Sequence, residues 1–135
     1  MNKKVIENKL DNLLRCISRI EDKTPSDKSE LNSSLDLQDI LSINIERAVQ
    51  ACVDIAAIVI SDSNYPYPST MGEAFEILEK MKVIDGDLKI KLQNAVGFRN
   101  ILVHDYTKVN WDIVWSIVTK NISDFKKFVK AIEKL

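Results

Sequence analysis

The stretch LDLQDILSINIERAVQACVDIAAIVIS, residues 35–61, decides the fold of this chain. Its apolar residues recur at spacings of three and four, which is the period of an α-helix. Further apolar residues such as Ile43 and Ile58 extend the apolar surface around that helix. A helix with so broad an apolar surface is typical of the centre of a bundle, where several neighbours cover it. The sequence therefore predicts a central helix over residues 35–61.

Polar breaks separate this segment from further predicted helices, which cover residues 2–22, 71–81, 88–104 and 110 to almost 135. Thr70 precedes Glu73 at the spacing of a capping box, and Asp85-Gly86 ends the helix that follows. No run alternates apolar and polar residues as a half-buried strand would. We therefore expect an all-α antiparallel bundle of about five helices. Residues 1–135 are expected to form it as a single domain.

The composition is that of an ordinary globular protein and does not indicate a nucleic-acid binder by charge alone. The chain has 19 Lys and Arg and 20 Asp and Glu, so that its net charge is -1. An RNA site would therefore have to be local, at a cleft or a subunit seam. The first residues lack the apolar core of a signal peptide, and the longest apolar stretch is too short to span a bilayer. We expect a cytoplasmic protein with no membrane partner.

The segment GFRNILVHDY, residues 97–106, contains the side chains with the clearest chemistry. It holds the only histidine of the chain, His104, five residues after Arg99. Histidine moves protons near neutral pH and the planar fork of arginine suits phosphate oxygens, so the pair suggests chemistry on a phosphodiester. Five residues turn an ideal helix through about 140°, so the two side chains would not share a face. Either the helix opens near His104, or the pair flanks a groove that another molecule completes.

Simpler interpretations stay open for these and other polar residues. His104 could be a partly buried histidine at a helix end, while Arg99 could simply be solvated. Asp54, a charge within the apolar helix, could orient Arg99, pair with another basic group or lie exposed. The last helix carries a strip of lysines, which a solvated surface also explains: Lys126, Lys127, Lys130 and Lys134.

Two cysteines, Cys16 and Cys52, lie inside apolar helical patterns, where a free thiol behaves as a small hydrophobic side chain. We therefore expect a structural role for them rather than a redox one. The sequence has no His-x-x-His or Cys-x-x-Cys pair. No metal site and no cofactor are expected.

The pattern Arg99, four residues, His104, one residue, Tyr106 resembles the signature of the HEPN superfamily. Within that superfamily it is similar to the HepT-like toxins of HEPN-MNT toxin-antitoxin modules. The resemblance spans nearly the whole chain in order, through residues 37–40, 46–56, 73–78, 96–106 and 112–117. It implies a HEPN-type bundle that forms a homodimer, with two Arg-His pairs facing one another across a shared cleft. It also implies a metal-independent endoribonuclease toxin of a type VII-like module.

The resemblance also implies roles for single residues. Arg99 and His104 would be catalytic, and Asn100, whose position is often polar in the family, would join them. Tyr106 would be the target of the partner MNT nucleotidyltransferase antitoxin, which attaches AMP and so places phosphate charge beside a phosphate-binding site. For Asn100, a local hydrogen bond near the helix end is an equally open interpretation.

Elementary chemistry agrees with a dimeric nuclease. Cleaving RNA through its own 2′-hydroxyl needs a base, an acid and positive charge at the phosphate. One chain offers one histidine, whereas a two-fold dimer supplies two. The alternatives are a non-catalytic HEPN module that binds a nucleotide or supports a nucleotidyltransferase, and a purely structural interaction bundle. The presence of both Arg99 and His104 favours the nuclease.

Overall fold

The computed structural model describes residues 3–135. Its α-helices are α1 (Lys3–Lys23), α2 (Lys28–Ser33), α3 (Leu35–Ser61), α4 (Met71–Lys80), α5 (Gly86–His104), α6 (Trp111–Ser116) and α7 (Ile122–Glu133). A short 3-10 helix, Tyr106–Lys108, follows α5, and a π-helical segment, Ile117–Asn121, joins α6 to α7 in one continuous helix. No strand occurs within residues 3–135, and the predicted all-α fold is confirmed.

The central position predicted for α3 is confirmed. Helix α1 packs along one side of α3, and α4, α5 and α7 contact its other sides. The core between them contains three fully buried phenylalanines, and the rings of Phe75 and Phe128 meet edge to face with centroids 6.0 Å apart. Helices α1 and α3 are joined by a Lys9–Asp54 ion pair on their outer side. Because α3 is apolar on most of its circumference, each neighbouring helix can bury its own apolar stripe against it.

Side-chain caps fix where the helices begin, as the sequence predicts. The Thr70 hydroxyl accepts a hydrogen bond from the Glu73 backbone N–H at 3.1 Å and starts α4. The Glu73 carboxylate, however, accepts from the Ser69 hydroxyl at 2.8 Å instead of reaching back to the backbone of Thr70. Asp85 caps α5 through the Leu88 N–H at 2.8 Å, which places the start of α5 two residues before the predicted position.

Two local elements differ from the sequence-based expectation. The predicted break after the first helix is present, but Asp27 caps the short helix α2 directly after it. Only Leu31 of α2 is buried, so this helix leaves no periodic pattern in the sequence. The π-helical segment in the last helix likewise has no signature in the apolar spacing. The predicted start of the first helix at residue 2 lies outside the described residues.

Cys16 of α1 and Cys52 of α3 are both buried in the core. Burial raises the pKa of the Cys16 thiol and that of the Cys52 thiol. Thiols held in the protonated form are poor nucleophiles, which favours the structural role expected for them. None of the helices described between residues 3 and 135 is long and apolar enough to cross a membrane.

Candidate active site

Helix α5 carries both members of the Arg-His pair and ends at the histidine. The backbone N–H of Asp105 bonds the Ile101 carbonyl at 2.9 Å, and the chain then enters the 3-10 turn. The helix therefore stays regular up to His104, and the two side chains leave it in different directions, as the 140° separation requires. Arg99 is partly buried toward α3, whereas His104 is exposed. A partly buried His104 was one interpretation of the sequence, and it is wrong.

The guanidinium of Arg99 is held from two sides. Its Nη2 donates to Gln50 Oε1 on α3 at 3.0 Å, and its Nη1 makes a longer contact of 3.4 Å with Asn100 Oδ1. Arg99 Nε is buried and has no hydrogen-bond partner within residues 3–135. Because a guanidinium has five N–H donors, several stay available for an anionic ligand. The arrangement thus holds a positive fork on α5, on a different side of the helix from the exposed imidazole of His104.

A chain of polar contacts anchors this arginine to α3 and α1. Gln50 Nε2 donates to Asp54 Oδ1 at 2.9 Å, and Asp54 Oδ2 pairs with Lys9 Nζ at 3.3 Å. Asp54 therefore pairs with a basic group, as one interpretation had it, and it contacts Arg99 only through Gln50. Gln50 was missed by the sequence reasoning. The signal that could have found it is an amide one helical turn before Asp54, on the same stripe of an apolar helix.

Tyr106 lies just beyond His104 with its hydroxyl at the surface. The phenol O–H donates to Asp39 Oδ1 on α3 at 3.0 Å, and the ring packs edge to face on Trp111 at 5.9 Å. Partial burial raises the pKa of the Tyr106 phenol and Asp39 raises it further, while the nearby Ser42 hydroxyl acts in the opposite direction. Tyr106 as a whole is 41% exposed.

The structure thus gathers all four predicted site residues at one end of α5. Asn100 is exposed beside Arg99, and its Oδ1 accepts the 3.4 Å contact from that arginine. Residues 3–135 contain no group of three or more histidine, cysteine, aspartate or glutamate side chains placed to share a metal ion.

Comparison with known proteins gives this arrangement a family. The chain is 34% identical over 129 residues to the mRNA nuclease HepT of Shewanella oneidensis, covering 96% of each protein. It is 23% identical over 128 residues to the tRNA nuclease HepT of Aphanizomenon flos-aquae, covering 95% of this chain and 87% of that protein. Its fold matches the tri-AMPylated Shewanella oneidensis HEPN toxin, solved in complex with an MNT antitoxin. The TM-score is 0.92 at 34% identity, with 100% of both chains covered.

A helical bundle that presents Arg-x4-His-x-Tyr at the end of a helix is the architecture of HEPN-type proteins. Within that class, the family described as Ribonuclease HepT-like matches residues 13–132. The chain therefore belongs to the HepT-like ribonuclease family, and the resemblance seen in the sequence is confirmed.

Proposed function

We propose that this chain is the endoribonuclease toxin of a type VII-like HEPN-MNT module and cuts RNA without a metal ion in the cytoplasm. The observation that carries the proposal is that α5 ends in an exposed His104 and, five residues earlier, carries an Arg99 that is anchored by Gln50. Relatives that align with nearly the whole chain are an mRNA nuclease and a tRNA nuclease. The test is to incubate purified, unmodified protein with RNA in EDTA and to map the cuts.

The proposed reaction is attack by the 2′-hydroxyl of the RNA on the adjacent phosphorus. His104 accepts the hydroxyl proton, the new O–P bond forms, and the bond to the 5′-oxygen of the next nucleotide breaks. The partner subunit's His104 donates a proton to that departing oxygen. Arg99 and Asn100 face the phosphate, where the guanidinium stabilises the added negative charge. The products are a 2′,3′-cyclic phosphate and a 5′-hydroxyl.

Substitution of Gln50 is expected to slow cleavage although this residue transfers no proton in the proposed reaction. Gln50→Ala removes the 3.0 Å contact that fixes Arg99, so the cleavage rate should fall by about tenfold. Gln93→Ala is the matched control, because its amide bonds the Gly72 carbonyl away from Arg99. Single-turnover rates at saturating RNA measure the effect. A Gln50→Ala rate equal to that of Gln93→Ala would contradict a positioning role.

The proposed homodimer uses the outward face of α5. Ile90, Gly97, Ile101 and His104 follow one another at spacings of seven, four and three, so they lie on one side of the helix. Ile90 is 54% exposed and Ile101 40% exposed, and beyond its chain neighbours and its own helix backbone a Cβ built on Gly97 would meet no described atom within 4 Å. An uncovered apolar face with a small residue in its middle suits close packing against the same face of a second copy. Such packing would bring the two His104 side chains together.

A charge on this face is expected to separate the subunits and to stop cleavage. Ile101→Glu places a carboxylate in the proposed interface, and the isolated chain keeps only one histidine. Leu14→Glu is the control, because Leu14 is 44% exposed on α1, away from this face. Light scattering and cleavage rates are measured together: we expect an inactive monomer for Ile101→Glu and an active dimer for Leu14→Glu. An active monomer at assay concentration would overturn the dimer.

The proposed control of the toxin is attachment of AMP to Tyr106 by a cognate MNT-type nucleotidyltransferase antitoxin. The phenol oxygen attacks the α-phosphorus of ATP, pyrophosphate leaves, and the phenol proton passes to Asp39, whose carboxylate already accepts it in a hydrogen bond of 3.0 Å. The support is that a relative with this fold is a tri-AMPylated toxin in complex with an MNT antitoxin. The exposed Tyr106 hydroxyl is open to such a reaction.

A further inference from the structure

A groove of about 540 Å³ with both apolar and basic lining residues runs between the outer sides of α1 and α3. Four of the side chains that line it are basic: Lys9, Arg15, Arg19 and Arg47. The net charge of the chain is -1, so the groove is a local concentration of positive charge in a protein without a net positive charge. The groove was not found from the sequence, because its basic residues come from two helices that are distant along the chain.

Most of this charge is not neutralised by acidic neighbours. Lys9 is paired with Asp54, the one acidic residue in the groove wall. Arg15, Arg19 and Arg47 make no ion pair with any residue between 3 and 135. Three guanidinium groups therefore face the same space with their charge available to an anion.

Two of these arginines act on the same thiol from opposite helices. The charges of Arg47 on α3 and Arg15 on α1 both act to lower the pKa of the Cys16 thiol, which also lines the groove, against the larger effect of burial. Arg15 and Arg19 are four residues apart on α1, so their side chains follow one another along the groove at about 6 Å. The positive charge thus forms a line rather than a single point.

The wall of the groove includes the residue that anchors Arg99. Gln50 and Asp54 line its wall, and the same Gln50 accepts the hydrogen bond from Arg99 Nη2 at 3.0 Å. A polyanion whose phosphate is held by Arg99 would therefore reach Arg47 next, and then Arg15 and Arg19. Single-stranded nucleic acids bind in this way to positively charged grooves that track the backbone.

We propose that the groove between α1 and α3 binds the phosphates of the RNA strand that flank the scissile phosphate at Arg99. This inference rests on the proposed ribonuclease function and adds a substrate-binding site to it. Arg15, Arg19 and Arg47 each hold a backbone phosphate, and the amide of Asn12 on the groove wall supplies a further polar contact. The contacts read no base, so they contribute affinity along the strand without selecting a sequence.

The test compares two triple variants that remove the same charge. The groove variant, Arg15→Gln/Arg19→Gln/Arg47→Gln, removes the three unpaired positive charges of the groove. The lysine variant, Lys127→Gln/Lys130→Gln/Lys134→Gln, removes three exposed positive charges from the last helix and its end. Fluorescence anisotropy with a single-stranded RNA measures binding in a His104→Ala background, and cleavage kinetics measure KM and kcat without that change. We expect the groove variant to bind RNA at least about tenfold more weakly, with KM raised and kcat within about twofold.

Salt dependence supplies a second readout. Losing three phosphate contacts should make the slope of log Kd against log salt shallower by about 2, at about 0.7 per contact on a single strand. The lysine variant should keep the parental slope and affinity. Equal RNA affinity in the two triple variants would overturn the proposal.

Two other outcomes would assign the groove differently and overturn it as well. A groove variant that becomes monomeric in light scattering would make this face a subunit interface. One that binds RNA normally but accepts AMP slowly from the antitoxin would make it an antitoxin docking surface. If the ribonuclease proposal itself is wrong, wild-type protein will not cut RNA. The anisotropy comparison would still decide whether the groove binds RNA.

Discussion

His104→Ala is expected to reduce RNA cleavage by about 10³-fold or more, since proton transfer by a positioned side chain contributes about 10² to 10⁴. In the proposed dimer the substitution removes both histidines at once, so no residue is left to serve as base or acid. Arg99→Ala should cost about 10² to 10³, because it removes the positive charge at the phosphate. Initial cleavage rates on a labelled RNA, read from a denaturing gel, measure both losses.

The fold should survive these changes. His104 is exposed and ends its helix, so its loss should alter the free energy of unfolding by less than about 0.5 kcal/mol. Circular dichroism melting and light scattering check that the variants stay helical and dimeric.

Arg99→Lys serves as a further control, because it keeps the charge without the planar fork and should recover little activity. Asn100→Ala should have a smaller effect than either, as its contact with Arg99 is 3.4 Å long. A His104→Ala protein that cuts at the parental rate would contradict the mechanism.

Modification of Tyr106 by AMP is expected to stop cleavage almost completely. Incubation with ATP, magnesium and the cognate nucleotidyltransferase should add AMP units of about 329 Da each and place phosphate charge next to Arg99 and His104. Tyr106→Phe keeps the ring against Trp111, which is 5.9 Å away, but removes the nucleophilic oxygen. This variant should therefore stay unmodified, as intact-mass spectrometry will show. AMP on Tyr106→Phe at the wild-type level, or a fully modified protein that still cuts RNA, would refute inhibition by AMP attachment to Tyr106.

The contact with Asp39 predicts how the rate of AMP transfer to Tyr106 depends on pH. Partial burial and Asp39 raise the pKa of the Tyr106 phenol, so the phenol stays protonated at neutral pH and needs a base to become nucleophilic. Asp39→Asn should therefore slow AMP transfer at neutral pH by about tenfold. The slowed rate should then rise with pH as the phenolate becomes populated. An Asp39→Asn rate equal to that of wild type across the pH range would show that this carboxylate has no part in the transfer.

The architecture could be predicted from the sequence because it depends on local patterns. The broad apolar surface of residues 35–61 gives the central helix, and Thr70 marks a helix start through its own cap. Short helix α2 escaped prediction, since one buried leucine makes no period.

The partners of the site residues could not be predicted in the same way. Gln50 lies 49 residues from Arg99 and Asp39 lies 67 residues from Tyr106, so only the packing of α5 and the 3-10 helix after it against α3 brings each pair together. Apolar spacing shows which face of a helix is buried, but not which polar side chain on a neighbouring helix lies opposite. The order of the signature residues along the chain is visible in the sequence, whereas the contacts that hold Arg99 and Tyr106 depend on the fold.

The chemical ends left on cleaved RNA test the central claim most directly. Unmodified protein is incubated with a defined RNA in excess EDTA, and the fragments are analysed by mass spectrometry. The account predicts cleavage that persists in EDTA and leaves a 2′,3′-cyclic phosphate with a 5′-hydroxyl, because the 2′-oxygen is the nucleophile. Cleavage that needs a divalent metal, fragments with a 5′-phosphate, or no cleavage by a protein free of AMP would contradict it. The last result would favour the non-catalytic HEPN module instead.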